Sequence, residues 1–214
     1  MSVLSAREGY RLWAPTYGAE TAISFLDEQL AMQMLDGLPR EQLLDAGCGT
    51  GRRLAGISGA IGVDSSPEMI AAGSATNLTV ADVRALPFPP GRFDMVWCRL
   101  VLGHLADPMP AYRELARVCR PHGHVFVTDF HSDAVAAGGK RTFRDQEGGL
   151  HEVEHHVHDH LKMAGATGLA LLERRDAGVG LAVRDFYARA GKLSLYEKDH
   201  GLKLVDAFLF RREN

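Results

Sequence analysis

The sequence predicts an α/β fold, with one mostly parallel sheet of strands between two layers of helices. The first observation is the apolar segment Leu43–Ala46, which leads directly into a glycine-rich turn from Gly47 to Gly51. The second is the alternation of short apolar segments with helical patterns as far as residue 130, which is typical of parallel strands joined by right-handed crossovers. Strands are predicted at about 42–46, 60–63, 78–81, 93–98 and 125–128.

Helices are predicted between these strands from apolar spacing and capping residues. Residues 21–35 carry apolar side chains at helical spacing, and Gly37 follows. A short helix is predicted from residue 50 to about 57, where its first N–H groups would face a ligand at the glycine turn. Ser65–Glu68 and Asp107–Pro108 each combine a capping side chain with a proline suited to the first helical turn.

The regular alternation weakens after residue 130. Two glycine pairs, at 138–139 and 148–149, bracket a polar segment that is predicted to be a lid or an insertion. A helix near 159–167 and strands near 169–174 and 203–210 are predicted to complete the fold.

Composition favours one domain over residues 1–214, since 214 residues with 46% hydrophobic content suffice for a full core. We expect a helical arm or lid at 1–40, a cofactor-binding half at 41–130, and the lid insertion with the last strands at 131–214. A net charge of −3 argues against a nucleic-acid partner, and no apolar run suggests a membrane segment or signal peptide. The three cysteines lack metal-ligand spacing and indicate a reduced, cytoplasmic protein. The sequence leaves open whether the protein is a monomer or a homodimer.

The glycine turn separates two classes of cofactor. Gly47, Gly49 and Gly51 let the backbone turn sharply and approach a ligand, and Asp64 ends the next strand, where an acid can accept hydrogen bonds from ribose hydroxyls. Dinucleotide-binding turns read G-x-G-x-x-G, and the position of their last glycine holds Arg52 here. The spacing therefore disfavours a nicotinamide enzyme.

From these residues the chain resembles the class I S-adenosylmethionine-dependent methyltransferases, whose first motif is D/E-x-G-x-G-x-G. Gly-Val-Asp-Ser-Ser-Pro-Glu-Met-Ile (62–70) is similar to their second motif, and Ala-Asp-Val (81–83) is similar to their third. Arg-Val-Cys-Arg-Pro-His-Gly-His (117–124) resembles their turn before strand five, with His122 in place of a glycine. The combination resembles the ubiquinone-biosynthesis-like branch, methyltransferase type 11. The resemblance implies a Rossmann-like three-layer sandwich with seven strands in the order 3-2-1-4-5-7-6 and an antiparallel last strand.

The resemblance also implies a cofactor, S-adenosyl-L-methionine, with S-adenosyl-L-homocysteine as product. The residues expected to bind it are Tyr17, Asp45, Gly47, Cys48, Gly49, Gly51, Asp64, Ser65, Met69, Asp82, Val83, Cys98 and Arg99. Plainer alternatives stay open: Asp64 as a helix cap, Met69 as a core residue and Arg99 as a solvated charge. The segment Tyr10–Tyr17 resembles the Y-x-x-W-A-x-x-Y arm of this branch, so its aromatic rings are expected to cover the sulfonium or to anchor a terminal helix.

Methyl transfer requires an aligned nucleophile, a dry site and, for a protonated acceptor, a base. His104 is the leading candidate for that base, because histidine titrates near neutrality. A local hydrogen bond in the loop after strand four is an equally open role for it. His131 and Asp129, just past strand five, are the next candidates.

The segment His151–His160 contains five histidines, in pairs that would share a face on a helix or a strand. A transition metal, a substrate or an ordinary polar surface could each account for it. No cysteine–histidine framework supports a metal, and the acids of magnesium-dependent catechol-type enzymes are absent after strand four. We therefore expect a metal-free enzyme.

The predicted activity is methyl transfer to oxygen, carbon or nitrogen of a small-molecule acceptor. The Asn/Asp-Pro-Pro-Tyr signature of the nucleic-acid N-methyltransferases is replaced by Cys-Arg-Leu-Val at 98–101. The alternative is a non-catalytic S-adenosylmethionine-binding or interaction protein that uses the same fold.

Overall fold

The computed structural model of the protein describes residues 3–214. In this part of the chain the strands are β1 (Val3–Leu4), β2 (Leu43–Ala46), β3 (Ile61–Asp64), β4 (Leu78–Val80), β5 (Phe93–Arg99), β6 (Cys119–Phe130), β7 (Arg141–Arg144), β8 (Leu150–Val153), β9 (Leu169–Gly178) and β10 (Lys203–Arg212). The α-helices are α1 (Ala6–Trp13), α2 (Ala22–Met34), α3 (Pro67–Ala71), α4 (Met109–Val118), α5 (Ser132–Ala136), α6 (His160–Gly165), α7 (Arg184–Arg189) and α8 (Leu193–Asp199).

The main sheet has seven strands in the order β4-β3-β2-β5-β6-β10-β9. β2 to β6 pair in parallel, whereas β10 runs antiparallel to both β6 and β9. Numbered by their order along the chain within this sheet, the strands read 3-2-1-4-5-7-6. The predicted fold class, strand order and antiparallel last strand are confirmed.

Buried side chains pack on both faces of this sheet. On one face, Leu26 and Leu30 of α2 join a cluster that contains Trp97. On the other face, Leu115 of α4 joins a cluster that contains Val96. Each residue of β2 and β5 is buried, as expected of central parallel strands covered by helices on both sides.

The helix predicted at 50–57 is wrong. Residues Arg52–Leu54 form only a 3₁₀ turn, because Gly51 and Gly56 adopt left-handed backbone conformations with φ of 69° and 80°. A left-handed residue at each end leaves no room for a regular α-helix. The glycine turn therefore leads into a loop and not into the N-terminus of an α-helix.

A second, small sheet was not predicted. It has the order β1-β8-β7, and β1 pairs in parallel with β8 through the register Val3–Glu152 and Leu4–Val153. The ring of Trp13 stacks on Phe143 with centroids 4.9 Å apart. Residues 3–17 and 141–153, which we call the cover, therefore form one unit built from two distant parts of the chain.

Other differences from the predicted elements lie in the second half of the chain. The structure adds α5, α7 and α8, while β6 begins at Cys119 and β9 extends to Gly178. A membrane-spanning helix would need a longer apolar stretch than any helix within residues 3–214 provides.

Candidate functional site

A cavity of about 500 Å³ opens at the carboxyl ends of β2, β3 and β5, beneath α1 of the cover. Open α/β sheets bind ligands at this edge. The residues lining it include nine of the predicted site residues: Tyr17, Gly47, Gly49, Asp64, Ser65, Asp82, Val83, Arg99 and His104.

The glycine turn forms one wall of this cavity. Its first two N–H groups, from Gly47 and Cys48, both donate to the carbonyl oxygen of Val63, so β3 holds the turn in place. Gly47 and Gly49 have φ of 85° and 58°, and a Cβ on Gly49 would lie 3.2 Å from the ring of Tyr17. A larger residue at either position would carry strain and narrow the cavity.

Asp64, at the end of β3, organises the turn as well as facing the cavity. Its carboxylate oxygens accept hydrogen bonds from the backbone N–H groups of Gly49 and Ser66, each at 2.8 Å. Burial raises the pKa of Asp64, and these two hydrogen bonds oppose that rise. Each oxygen keeps a further lone pair, so the carboxylate can fix the backbone and still accept from a ribose hydroxyl.

Asp45, the third residue of β2, carries an unsatisfied carboxylate. Its side chain is 0% exposed, and neither oxygen has a hydrogen-bond partner among residues 3–214. Burial raises the pKa of Asp45 to about 6, although Arg53 and Arg99 lower it. Because such a buried group costs free energy unless a partner satisfies it, Asp45 fits a cationic ligand group beside the glycine turn.

A buried ion cluster joins α2 to the 3₁₀ turn after the glycine turn, to β5 and to β6. Asp27 lies 2.8 Å from Arg53 and 2.8 Å from Arg99, and Thr128 donates to the same carboxylate at 2.6 Å. Although burial opposes ionisation, the guanidinium groups of Arg99 and Arg53 lower the pKa of Asp27. Arg99 is only 2% exposed, so the alternative of a solvated charge is wrong.

Asp82 and Val83 line the cavity from the loop after β4. The Asp82 carboxylate accepts bonds from Nε and Nη2 of Arg84, the shortest at 2.6 Å, and Arg84 lowers its pKa. An adenine amino group would therefore share this carboxylate with Arg84.

Six predicted site residues do not line this cavity: Asp45, Cys48, Gly51, Met69, Cys98 and His131. Asp45 lies two residues before Gly47, behind the part of the cavity wall that the glycine turn forms. Met69 is fully buried in the core, and its backbone N–H donates to Ser66, so the core alternative describes its position.

Three more of these residues, Cys48, Cys98 and Gly51, pack against other parts of the protein. Cys48 and Cys98 are buried behind the wall, and burial raises the pKa of both thiols. Gly51 serves packing, because a Cβ there would lie 2.7 Å from Leu78.

His131 caps α5 instead of facing the cavity. Its Nδ1 accepts a hydrogen bond from the N–H of Asp133 at 3.0 Å, while Nε2 lies 3.8 Å from Asp206. Asp129, the other residue considered near strand five, is buried and contacts His155 at 3.0 Å and His160 at 3.3 Å. The structure thus gives both residues local partners away from the glycine turn.

His104 is the predicted base that the structure places at the cavity. Its Nδ1 lies 2.8 Å from the carbonyl oxygen of Glu154, so Nδ1 carries the proton. Its Nε2 consequently accepts from the hydroxyl of Tyr10 at 2.9 Å. Burial and the nearby Arg141 lower the pKa of His104 to about 4, so the imidazole is neutral near pH 7.

The histidine-rich segment docks on the turn Leu102–His104 and its neighbours. The N–H of His156 donates to the carbonyl of Gly103 at 2.6 Å, and Nε2 of His158 lies 2.9 Å from the carbonyl of Leu105. Gly103 is needed there, since a Cβ would collide with His155. Among residues 3–214 no three histidines, cysteines or acids gather in a way that could hold a metal ion.

Sequence reasoning missed several residues of the cavity wall, among them Arg7, Ser66, Pro67, Arg84, Leu100 and Leu105. Most of them follow shortly after a strand whose end was predicted correctly. Their position after a strand was the available signal, because ligands meet the chain where parallel strands end. Arg7 comes from α1 and carried no such signal.

Comparison with known proteins finds a family match over the central part of the chain. Residues 44–127 match the family model described as a methyltransferase domain. Together with the relatives below, this match supports a class I S-adenosylmethionine-dependent methyltransferase domain over residues 44–127. The family and its cofactor, S-adenosylmethionine, are therefore as the motifs predicted.

Two relatives and one solved structure illustrate the similarity. A malonyl-[acyl-carrier protein] O-methyltransferase of Herminiimonas arsenicoxydans is 34% identical over 53% of this chain and 48% of its own length. A ubiquinone biosynthesis O-methyltransferase of Pectobacterium carotovorum is 26% identical over 69% of both chains. The [4+2]-cyclase SpnF superposes over 100% of this chain and 97% of its own, with a TM-score of 0.66 and 21% identity.

The sequence matches cover only part of each curated relative. The chain spans about half the length of the curated relatives that it matches, from 33% to 69%. The likeness to SpnF, at 21% identity, shows the fold alone.

Proposed function

We propose that this methyltransferase domain transfers a methyl group from S-adenosylmethionine to oxygen, carbon or nitrogen of a small-molecule acceptor. The observation that carries the proposal is the buried, unsatisfied carboxylate of Asp45 beside a glycine turn that forms the cavity wall. The cofactor has one ammonium, one carboxylate, a ribose diol and an adenine, and each has a suitable counterpart among the residues around this cavity.

Asp45 would receive the ammonium group, which also relieves its unsatisfied oxygens. Arg99 lines the cavity and would attract the carboxylate, while Asp27 holds its guanidinium in place at 2.8 Å. Asp64 would accept from the ribose hydroxyls, and the wall at Asp82 and Val83 would meet the adenine. The carboxylate of Asp45 and the guanidinium of Arg99 match the two opposite charges of the amino-acid part of the cofactor.

Tyr10 and Tyr17 line the cavity from the cover side. The electron-rich faces of such rings attract a cation and exclude water. The sulfonium supplies an already activated methyl group, so the protein has to bind, orient and dry the reactants. His104 and Tyr10 would border the acceptor at this end of the cavity.

The alternative is a protein that binds the cofactor without transferring its methyl group. The [4+2]-cyclase among the structural neighbours gives this alternative a specific basis, because a similar fold there carries another reaction. Binding of the cofactor alone therefore does not distinguish the two functions.

The test combines cofactor binding with turnover. Calorimetry should detect S-adenosylhomocysteine binding, and incubation with methyl-labelled S-adenosylmethionine and a panel of acids, phenols, enols and amines should yield a labelled product. Gly49→Val should abolish binding in a protein that keeps its far-ultraviolet dichroism. Gly37→Val is the matched control, since Gly37 also has positive φ, 71°, but a Cβ there would meet no other atom within 4 Å. Binding without turnover of any acceptor would favour the alternative.

A further inference from the structure

A second cavity, of about 650 Å³, shares no lining residue with the first. It is bordered by the start of α2, by α5, by the start of β7 and by α7 and α8. Its floor is apolar and includes Ile23, Phe130, Phe186, Leu202 and Leu204. A volume of this size suits a small-molecule body of predominantly apolar character.

Positive charge surrounds this apolar floor. The lining contains three lysines, Lys140, Lys192 and Lys198, against two acids, Glu20 and Asp199. Lys140 is paired with Glu152 at 2.7 Å. Neither Lys192 nor Lys198 has a carboxylate within 4.0 Å in the part of the chain that the structure describes. The cavity therefore favours a ligand that carries negative charge.

Arg141 stands between the two cavities. Its guanidinium lies 6.0 Å from the ring centroid of Phe130, which lines the second cavity, and it is close enough to Tyr10 of the first cavity to oppose the rise that burial causes in the Tyr10 pKa. Within residues 3–214 no carboxylate pairs with Arg141, although Lys140 beside it is paired. A half-buried guanidinium without an acidic partner is suited to an anionic ligand.

A single imidazole ring bridges the walls of the two cavities at this point. The ring of His155 lies 5.6 Å from Phe130 and 5.7 Å from His104, measured between centroids. An acceptor whose body occupies the second cavity would thus have its head near Arg141 and Tyr10. Because Tyr10 lines the first cavity, that head would lie at the edge of the first cavity.

His104 is not free to act as a base for an acceptor at this point. Nε2 of His104 is already occupied by the Tyr10 hydroxyl, and the His104 imidazole holds its one proton on Nδ1 against Glu154. An acceptor that arrives ionised needs no base. A carboxylate is ionised near pH 7, whereas an amine or an ordinary phenol is protonated.

From this arrangement we infer that the acceptor is a carboxylic acid with an apolar body, which the second cavity encloses while Arg141 binds the carboxylate. The inference rests on the proposed function and names its acceptor class. A carboxylate oxygen forms the new O–CH₃ bond as the C–S bond breaks, and the electron pair of that bond stays on sulfur. The products are a neutral methyl ester and S-adenosylhomocysteine, and no proton is transferred. The ester no longer attracts Arg141, which favours its release.

The first test compares acceptors that share a body and differ in charge. Octanoate, octanol and octylamine are each titrated calorimetrically into the protein saturated with S-adenosylhomocysteine, and each is incubated with labelled S-adenosylmethionine. Octanoate should bind at least tenfold more tightly than the other two and should alone yield a product, methyl octanoate by mass spectrometry. Preferential binding or methylation of octylamine or octanol would overturn the inference.

The second test uses two matched pairs of variants. Arg141→Met should weaken octanoate binding at least tenfold, whereas Arg144→Met on the same strand should not, because Arg144 bonds the carbonyl of Gly148. Ala190→Trp should fill the second cavity and abolish octanoate binding, whereas Ala188→Trp, two residues earlier in α7, should leave it unchanged.

Affinity for S-adenosylhomocysteine separates the two possible failures. It should be unchanged in all four variants, because none of these residues lines the first cavity. If the wild-type protein binds S-adenosylhomocysteine but octanoate affinity is equal in both members of each pair, the acceptor site is wrong and the proposed function stands. If the wild-type protein does not bind S-adenosylhomocysteine, the proposed function itself fails.

Discussion

The hydroxyl of Tyr10, on α1, lies 2.9 Å from Nε2 of His104, in the turn that follows β5. The other imidazole nitrogen bonds the carbonyl oxygen of Glu154, at the end of the hairpin β7–β8. One neutral histidine therefore connects α1 of the cover, and the residue that directly follows the cover's β8, to the turn after β5. Protonation of His104 would therefore disturb the attachment of the cover to the rest of the protein.

We predict that protonation of His104 destabilises the protein below pH 6.5. Burial, with Arg141, lowers the folded-state pKa to about 4, whereas the unfolded chain has a value near 6.5. The unfolded state therefore binds the proton first, and stability is lost as the pH falls from about 6.5 to about 4. Between pH 7 and pH 4.5 the free energy of unfolding should fall by roughly 2–3 kcal/mol. Urea unfolding at pH 7 and at pH 4.5 measures this fall.

His104→Gln is the control, because it removes the titration. Asp45 acts in the opposite direction: its folded pKa is raised to about 6, so its protonation favours the folded state as the pH falls. The quantity to compare between wild type and variant is thus the change in the free energy of unfolding with pH. Equal pH dependence in the two proteins would contradict the assignment of His104 as a buried neutral group.

The sequence was sufficient for the parts of the fold that depend on short-range signals. Apolar strands, capping residues and glycines located β2, β5, α2 and β10 within a few residues, whereas the antiparallel direction of β10 came from the family resemblance. The cover could not be predicted, because β1 pairs with Glu152 and Val153 across most of the chain. A two-residue strand has no periodicity, and only the completed fold brings its partner to it.

Asp64 provides the direct test of the ribose-binding proposal. We predict that Asp64→Ala weakens S-adenosylmethionine binding by about 1–3 kcal/mol, the scale for losing hydrogen bonds to a charged group. Since its carboxylate also holds the N–H groups of Gly49 and Ser66, the variant needs a melting curve beside the calorimetry. A folded Asp64→Ala protein with wild-type affinity would remove Asp64 from the site.

The buried ion cluster predicts a large stability effect. Asp27→Ala leaves the buried guanidinium group of Arg53 without this carboxylate and that of Arg99 with Glu28 alone, which should cost about 3–5 kcal/mol in urea unfolding. Asp82→Ala is the matched control, because the Asp82–Arg84 pair is exposed and such pairs contribute about 0–1 kcal/mol. Similar losses in both variants would mean that the cluster has no special role.

The candidate site was predictable to the extent that it follows the ends of strands. Gly47, Gly49, Asp64 and Asp82 all lie at the end of a strand or shortly after it, and all line the cavity. Partners of polar side chains were not predictable. Arg99 contacts Asp27 only because α2, which carries Asp27 72 residues earlier in the chain, packs on the sheet beside β5. Spacing along the chain carries no such information.

The cover supplies the last prediction. Its parts, residues 3–17 and 141–153, pack on each other through Trp13 and Phe143. They contact the rest of the protein where α1 packs on α3 and through the hydrogen bond Tyr10–His104. Segments with few buried contacts to the rest of a protein open locally at low free energy. If ligand entry needs this opening, the cover should exchange its amide hydrogens quickly in the free protein.

Hydrogen exchange with and without S-adenosylhomocysteine measures this opening. Because ligand-bound lids close and exclude water, amides of α1 and β8 should become protected on binding, whereas those of α8, outside the cover, should not change. Tyr10→Phe removes the hydrogen bond to His104 and should speed exchange in α1 in the free protein, with the ring packing retained. If exchange in the cover is already slow without ligand and unaffected by it, the cover is a fixed wall, and the ligand enters past its rim.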